Sequence, residues 1–218
     1  MPALDSGRTA LVLVDLMERI VALPLAPRPG TDVLTAAARL ADTFRAADAP
    51  VVHIRVERPN VESQPPGSEL VADLVRDGEP VVVKRTIGGF QDTGLHELLT
   101  GFGATTLVLG GIATNLGVES TARAAGDLGY DLVFAEDAMS ALTADEHRAS
   151  VDLDFPRLGT VAPVAEITLE PSASASTPDG AASAGASDAP VSAGAPDAPA
   201  SASTSDGPAS ASTPDGRA

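Results

Sequence analysis

The chain passes from a strand to a helix at Gly110-Gly111-Ile112-Ala113-Thr114-Asn115-Leu116-Gly117-Val118-Glu119-Ser120-Thr121-Ala122-Arg123. A helix that begins near Asn115 or Leu116 directs free N–H groups toward the end of the preceding strand, where they can bind an anion or an oxyanion. Gly117 leaves this opening uncrowded, although a glycine here also suits close packing of the helix on the sheet. The glycine patterns of nucleotide-binding loops are absent, so the turn does not predict a phosphate site of that kind.

Strand-like and helix-like segments alternate on both sides of this turn. Aliphatic and β-branched runs predict strands at residues 10–14, 51–56, 81–83, 106–109, 132–135 and 159–162. Helical spacing of apolar residues predicts helices at residues 31–47, 95–99, 116–128 and 149–153, the last preceded by a capping box of Thr143 and Glu146. This alternation predicts an α/β fold, a three-layer α/β/α sandwich around a mostly parallel, six-stranded, Rossmann-like sheet.

The composition changes sharply after residue 170. From Pro171 onward the chain contains almost only Ala, Ser, Gly, Pro, Thr and Asp, with an aspartate every nine residues from Asp179 to Asp215. Such residues offer too little apolar surface to offset the entropy of ordering a chain. We predict one folded domain over residues 1–170 and a disordered, low-complexity tail over residues 171–218.

Charge and composition exclude several kinds of partner and ligand. The formal net charge of −16 repels nucleic acid and anionic membrane surfaces, and the apolar runs are too short to cross a bilayer. The N-terminus lacks a signal-peptide pattern and the chain has no cysteine, which favours a cytoplasmic protein. The three histidines, His53, His96 and His147, lack the spacing of metal ligands, so we predict no metal and no cofactor. His53 lies within a predicted strand, where a hydrogen-bonded core histidine is expected.

Two ionisable residues come directly after predicted strands. Asp15 follows the first strand and Lys84 the third, and the glycine turn follows the fourth. Ligands of open α/β sheets bind at the carboxyl ends of the strands, near the point where the strand order reverses. The three features are therefore expected to lie at one edge of the sheet and to form a site.

Each of the two residues also has a purely structural interpretation. Asp15 can cap the segment that follows it, and Lys84 can extend its ammonium group from the strand end into water. If the two meet, opposite charges about 4 Å apart interact by roughly 4 kcal/mol at an effective dielectric of 20, which favours the ionised carboxylate. Burial opposes this by raising the pKa of Asp15. The balance of the two effects decides whether Asp15 begins as a base or as an acid, and the sequence leaves it open.

The motifs together resemble those of the isochorismatase-like hydrolases. The resemblance rests on Asp15 after the first strand, on Lys84 followed by Gly88-Gly89-Phe90, and on the turn Thr114-Asn115-Leu116-Gly117. It covers about residues 8–167. In that family an Asp, a Lys and a Cys form a catalytic triad, so the resemblance assigns Asp15 and Lys84 to two of its members. Gly117 stands where most members have the attacking cysteine.

The resemblance also implies a cis peptide bond between Ile112 and Ala113 and an assembly into homodimers or homotetramers. It places the substrate against the turn residues and two residues outside the turn, namely Gly111, Ile112, Ala113, Thr114, Asn115, Phe90 and Arg55. True isochorismatases are similar in having a glycine in place of the cysteine, and they protonate a vinyl ether with the aspartate. Their Tyr-Ala-His segment differs from Ala113-Thr114-Asn115, so their substrate is not carried over.

Two functions follow from this combination. The first is a metal-free hydrolase of a small anionic metabolite, with Asp15 as acid or base, Lys84 as electrostatic partner and no covalent thioester. The second is a pseudoenzyme that binds a small molecule or serves a structural role, because the thiol is missing. Turnover of a small molecule that is abolished by Asp15→Asn distinguishes the first from the second.

Overall fold

A computed structural model describes residues 3–172 of the chain. The predicted tail, residues 171–218, lies outside the described residues apart from its first two, and its disorder stays a prediction. Among residues 3–172 no helix is long and apolar enough to cross a membrane.

The predicted parallel sheet is confirmed. Its six strands are β2 (Thr9–Val14), β3 (Val51–Val56), β4 (Val81–Lys84), β5 (Thr106–Ile112), β6 (Asp131–Ser140) and β7 (Thr160–Ala162). They pair in parallel in the order β4-β3-β2-β5-β6-β7. A separate parallel pair joins β1 (Leu4–Asp5) to β8 (Leu169–Glu170). The chain runs outward from β2 to β4 and then returns to place β5 beside β2, so the strand order reverses between β2 and β5.

Helices cover both faces of this sheet, which confirms the three layers. The α-helices are α1 (Glu18–Val21), α2 (Gly30–Ala46), α3 (Leu95–Gly101), α4 (Glu119–Asp127), α5 (Ala144–Ala149) and α6 (Phe155–Leu158). Every residue of β2 is buried, and its side chains alternate between two cores. Leu11 and Leu13 pack with α2 on one face, whereas Val12 and Val14 pack on the other face with α3 and α4. Each fully buried aliphatic side chain of this kind stabilises the fold by about 1.5–3 kcal/mol.

Three elements differ in extent from the sequence prediction. The helix expected at residues 116–128 is a π-helical turn, Thr114–Val118, that continues as α4. The capping box of Thr143 and Glu146 forms, but it starts α5 at Ala144, and a second π-helical turn, Ser150–Asp154, follows. Strand β6 extends through Glu136 to Ser140, because its pairing with β5 shifts register between Leu109 and Gly111. The polar residues in this part of β6 interrupt its apolar pattern, so the sequence predicted a shorter strand.

The interpretation of His53 as a core histidine is confirmed. Its side chain is fully buried, and its Nε2 lies 2.8 Å from the Glu79 carboxylate. Glu79 also accepts hydrogen bonds from Arg45 at 2.7 and 2.9 Å and from the Arg76 backbone at 2.9 Å. Burial of Glu79 raises its pKa, but these hydrogen bonds outweigh burial and lower the pKa from 4.5 to about 2.

This shift makes the stability of the fold depend on pH. Because the folded pKa of Glu79 lies below its unfolded value, its contribution is present above pH 4.5 and is lost as the pH falls toward about 2. Glu79→Gln is expected to lower the free energy of unfolding at neutral pH by on the order of 2–3 kcal/mol. It should also flatten the acid limb of the stability profile, which is the fall in the free energy of unfolding below pH 4.5. Urea denaturation at a series of pH values measures both effects. Glu97→Gln, a substitution at an exposed glutamate, serves as the control. An acid limb in Glu79→Gln that is the same as in the wild type would contradict the prediction.

Candidate active site

Asp15 lies at the switch point of the sheet, directly after β2. Its backbone N–H donates to Ile54 O on β3 at 2.8 Å, so the strand pairing fixes its position. Its φ of 55° lies in the left-handed region, which aspartate tolerates better than most side chains. Only 5% of the residue is exposed. A buried carboxylate on an uncommon backbone conformation is typical of a functional position.

Lys84, the only lysine of the chain, ends β4 and meets this carboxylate. Its Nζ lies 2.7 Å from Asp15 Oδ2 and donates to Ile87 O at 2.5 Å. The lysine is 2% exposed, so both charges of the pair are removed from water. The structure thus brings together the two residues that the sequence placed at one sheet edge.

Burial and the neighbouring cation act on Asp15 in opposite directions. Burial raises the pKa of Asp15, while the Lys84 ammonium, Arg19 and the Val56 backbone lower it, and burial is the stronger effect. The second carboxylate oxygen, Oδ1, is buried and has no hydrogen-bond partner of ordinary geometry within residues 3–172. The raised pKa favours Asp15 as a proton donor.

Gly117 occupies the third corner of this arrangement. A Cβ built on it would lie 3.1 Å from each of Asp15 Oδ2, Lys84 Nζ and Val14 Cγ1. A side chain at this position would therefore point at the ion pair. The contact with Val14 also shows close packing of the turn on the sheet, so both interpretations of this glycine apply.

A cavity of about 340 Å³ opens over the ion pair. Asp15, Lys84 and Gly117 line it together with apolar side chains, several of which are exposed at its mouth. The remaining lining residues are Arg19, Ile20, Leu23, Val56, Thr86, Ile87, Ile112, Ala113, Leu116 and Leu142. A small apolar pocket with a few converging polar groups is the usual form of a small-molecule site.

Of the five turn residues expected at the substrate, Ile112 and Ala113 line this cavity, whereas Gly111, Thr114 and Asn115 do not. Ile112 and Ala113 face the cavity, and the peptide bond between them is cis, as the family resemblance implied. Gly111 has a φ of 131°, and a Cβ there would lie 2.1 Å from Val14 O, so only glycine fits. The buried Thr114 Oγ1 lies 2.8 Å from His147 Nδ1. Asn115 Oδ1 is buried without a hydrogen-bond partner among the described residues.

Fewer backbone N–H groups of this turn are free to bind an anion than the sequence predicted. The N–H groups of Leu116 and Val118 both donate to Ala113 O, at 3.2 and 3.3 Å. The π-helical widening of the first turn places both groups within reach of this one carbonyl. These two donors are therefore used within the turn and do not face a ligand.

Phe90 and Arg55 do not line the cavity. Phe90 packs against the core with its ring 6.1 Å from that of Tyr130, because the loop after β4 turns inward where Gly89 N donates to Thr121 Oγ1. It borders a different groove of about 750 Å³, where Asp127, the one ionisable residue among the described lining residues, is exposed. Arg55 donates to Glu57 at 2.7 Å. The smaller cavity is the better candidate site because it contains the buried ion pair.

Sequence reasoning missed Arg19, a cavity residue four positions after Asp15 on α1. No sequence pattern distinguishes Arg19, since a charged residue in a short helix is commonly solvated. Its closeness to Asp15 in the sequence, four residues away, was the available signal. In the part of the chain that the structure describes, no three His, Asp or Glu side chains are grouped as metal ligands.

Comparison with known proteins gives consistent matches over the folded part of the chain. Residues 9–166 match the model of the isochorismatase domain. The isochorismatase family protein YecD of Escherichia coli is 37% identical over 181 residues, which cover 75% of this chain and 96% of that protein. The isochorismatase family protein YwoC of Bacillus subtilis is 36% identical to this chain over 174 residues, which cover 72% of this chain and 90% of that protein. A solved isochorismatase family structure from Burkholderia thailandensis is 36% identical, with a TM-score of 0.69 over 77% of this chain and 96% of that one.

Proposed function

The chain belongs to the isochorismatase family of hydrolases, and from this premise we propose that it hydrolyses a small anionic metabolite without a covalent thioester. One observation carries the proposal, the buried ion pair of Asp15 and Lys84 at 2.7 Å beside Gly117. The chain contains no cysteine, so no thiol can attack the substrate at any position. Proton transfer by Asp15 and electrostatic stabilisation by Lys84 are forms of catalysis that need no thiol.

The geometry supports Asp15 as a general acid. Its raised pKa keeps the carboxyl protonated to a higher pH than an exposed aspartate, and Lys84 stabilises the carboxylate that remains after the proton has left. In the proposed reaction Asp15 protonates the substrate and a water molecule adds to the resulting cation. The proton that this water loses returns to Asp15, and the C–O bond to the leaving group then breaks as the hydroxyl proton of the adduct passes to the leaving oxygen. The space beside Gly117, which has no side chain, adjoins both charged groups and suits the attacking water.

A screen of metabolites against the wild-type chain and Asp15→Asn tests this proposal. Turnover of a small anionic compound by the wild type, with loss of turnover in the variant, supports it. Binding without turnover would instead support the pseudoenzyme, which the missing cysteine favours. Assembly into a homodimer or homotetramer remains a prediction that sedimentation of the full chain measures.

Restoring a thiol tests whether Asp15 and Lys84 are placed as in a cysteine hydrolase. In Gly117→Cys the Cβ would lie 3.1 Å from both charged atoms, so they must shift by a few tenths of an ångström. The Lys84 ammonium then favours the thiolate. We expect a burst of p-nitrophenol from p-nitrophenyl acetate at least about tenfold above the wild type, and its loss after alkylation with iodoacetamide.

The control for this experiment is Gly126→Cys, because a Cβ at Gly126 on α4 meets nothing within 4 Å. Both variants carry one thiol in the same chain, and only one thiol lies at the ion pair. Equal bursts from the two variants would show that Asp15 and Lys84 do not activate a thiol at position 117.

A further inference from the structure

Arg19 contributes a second positive charge to the cavity, outside the three residues of the proposed mechanism. It lies on α1, is half-buried, and lines the cavity with Asp15 and Lys84. These three are the charged residues among the described lining residues, two cations against one carboxylate. In a chain with a net charge of −16, a cavity with excess positive charge is suited to an anion.

The segment that follows Pro66 holds Arg19 in place. The Arg19 N–H donates to Gly67 O at 2.9 Å, and its side-chain Nε donates to Ser68 Oγ at 3.1 Å. Ser68 is only 3% exposed, which makes this a buried support. A Cβ on Gly67 would lie 3.1 Å from Arg19 N and Cβ, so the two segments are in close contact here.

Within the described part of the chain, the outer end of the Arg19 guanidinium has no protein partner. Among residues 3–172 its Nη1 and Nη2 groups make no hydrogen bond and no ion pair, and only Nε is engaged. By contrast, Arg28, Arg45 and Arg123 each bind a carboxylate through a terminal nitrogen. A guanidinium fixed at Nε presents its two terminal nitrogens as a planar pair of donors, the geometry that a carboxylate accepts through both oxygens.

We propose that Arg19 recognises a carboxylate on the substrate and so determines the specificity of the site for carboxylate-bearing small molecules. This inference rests on the proposed function and specifies its substrate class. The rest of the substrate then lies against the apolar wall formed by side chains such as Ile20, Leu23 and Leu142. The volume of about 340 Å³ lies at the lower end of the range for small-molecule sites, which limits the substrate to a compact molecule.

Binding of two simple probes tests the role of Arg19 without any need for turnover. Benzoate and benzyl alcohol have the same ring and differ in the carboxylate, and titration calorimetry measures their affinities for the full chain. We expect wild type to bind benzoate at least about tenfold more tightly than benzyl alcohol. We expect Arg19→Gln to bind the two probes with affinities within about twofold of each other, because the guanidinium that would pair with the carboxylate is gone.

Two further variants make the result specific. Arg148→Gln removes an exposed arginine that binds Asp145 and does not line the cavity, and it should keep the wild-type preference. Ser68→Ala keeps the charge of Arg19 but removes the hydrogen bond to its Nε, and an intermediate preference is expected. Ser68→Ala also tests the proposal if Arg19→Gln does not fold.

Wild type without a preference for benzoate, or Arg19→Gln or Ser68→Ala with the full preference, would overturn the proposal. Its failure is distinguishable from failure of the proposed function. If Asp15→Asn abolishes turnover of a metabolite while Arg19→Gln leaves KM unchanged, Arg19 is not the recognition residue but the hydrolase stands. If the benzoate preference depends on Arg19 and no turnover occurs, the recognition site is supported and the hydrolase is not.

Discussion

Asp15→Asn is expected to lower kcat for a turned-over metabolite by about 10²- to 10⁴-fold, the range for loss of a general acid or base. Asparagine keeps the size of the side chain and its contact with Lys84 but cannot deliver a proton. Because burial raises the pKa of Asp15, the wild-type rate should fall as the pH rises through that pKa. The variant should show a low rate without this dependence. Steady-state rates across the pH range measure both effects.

Asp48→Asn is the matched control for this substitution. Asp48 has a φ of 52° and Asp15 a φ of 55°, so both variants place asparagine in the same left-handed backbone region. Asp48 is exposed, however, and lies outside the cavity. A variant Asp15→Asn that keeps more than about a tenth of the wild-type kcat would rule out Asp15 as the principal acid.

Lys84→Met is expected to lower the free energy of unfolding by about 3–5 kcal/mol, the usual cost of removing one partner of a buried ion pair. Methionine fills much of the same space, so the effect reports charge rather than a cavity. The substitution leaves the Asp15 carboxylate in a site where it is 5% exposed and where Oδ1 already lacks a partner. It also removes the donor to Ile87 O. Urea or guanidinium denaturation of the purified variant measures the loss.

Two comparisons isolate this charge effect. Arg85→Met removes the neighbouring exposed cation, which pairs with Glu57, and should change stability by no more than about 1 kcal/mol. The double variant Asp15→Asn/Lys84→Met removes both charges and should be more stable than Lys84→Met alone. A double variant that is no more stable than Lys84→Met would show that the lost packing, and not the unpaired carboxylate, dominates.

The pH dependence of the Lys84→Met loss has a defined sign. A carboxyl whose folded pKa is raised contributes most to stability below its unfolded value of 3.8, and this contribution is lost as the pH rises through the folded pKa. Without Lys84 the largest opposing effect on this pKa is removed, so the pKa rises further. The loss of stability in Lys84→Met should therefore be smaller in acid than at neutral pH.

The sequence pattern predicted the fold because the strands and helix starts of this fold depend on local properties of the chain. Buried parallel strands such as β2 must be apolar on both faces, and such runs are visible without the structure. Thr143 and Glu146 satisfy backbone groups within one helical turn, so their capping box was also visible. Strand β6 was predicted too short because Glu136 and Asp137 interrupt its apolar pattern, while a shift in register with β5 lets the strand continue.

The candidate site was predictable in part for the same reason. Asp15 and Lys84 end strands, and parallel strands bring their carboxyl ends to one edge whatever the loops between them do. A loop residue such as Phe90 does not have this property, and Arg55, although it lies on β3, is held by a neighbouring side chain. Phe90 and Arg55 were expected at the substrate, but an inward turn of the loop takes Phe90 to the core, and Glu57 binds Arg55.

The sequence by itself determined the layered α/β fold, the strand-end positions of Asp15 and Lys84, and the absence of a thiol at Gly117. The tertiary structure alone decided that the two charges lie 2.7 Å apart. It also decided that burial raises the pKa of Asp15 by more than the Lys84 ammonium lowers it. It also decided that Arg19 joins them in one cavity. Strand ends follow from local pattern, whereas a distance, a pKa and a cavity depend on packing between segments far apart in the chain.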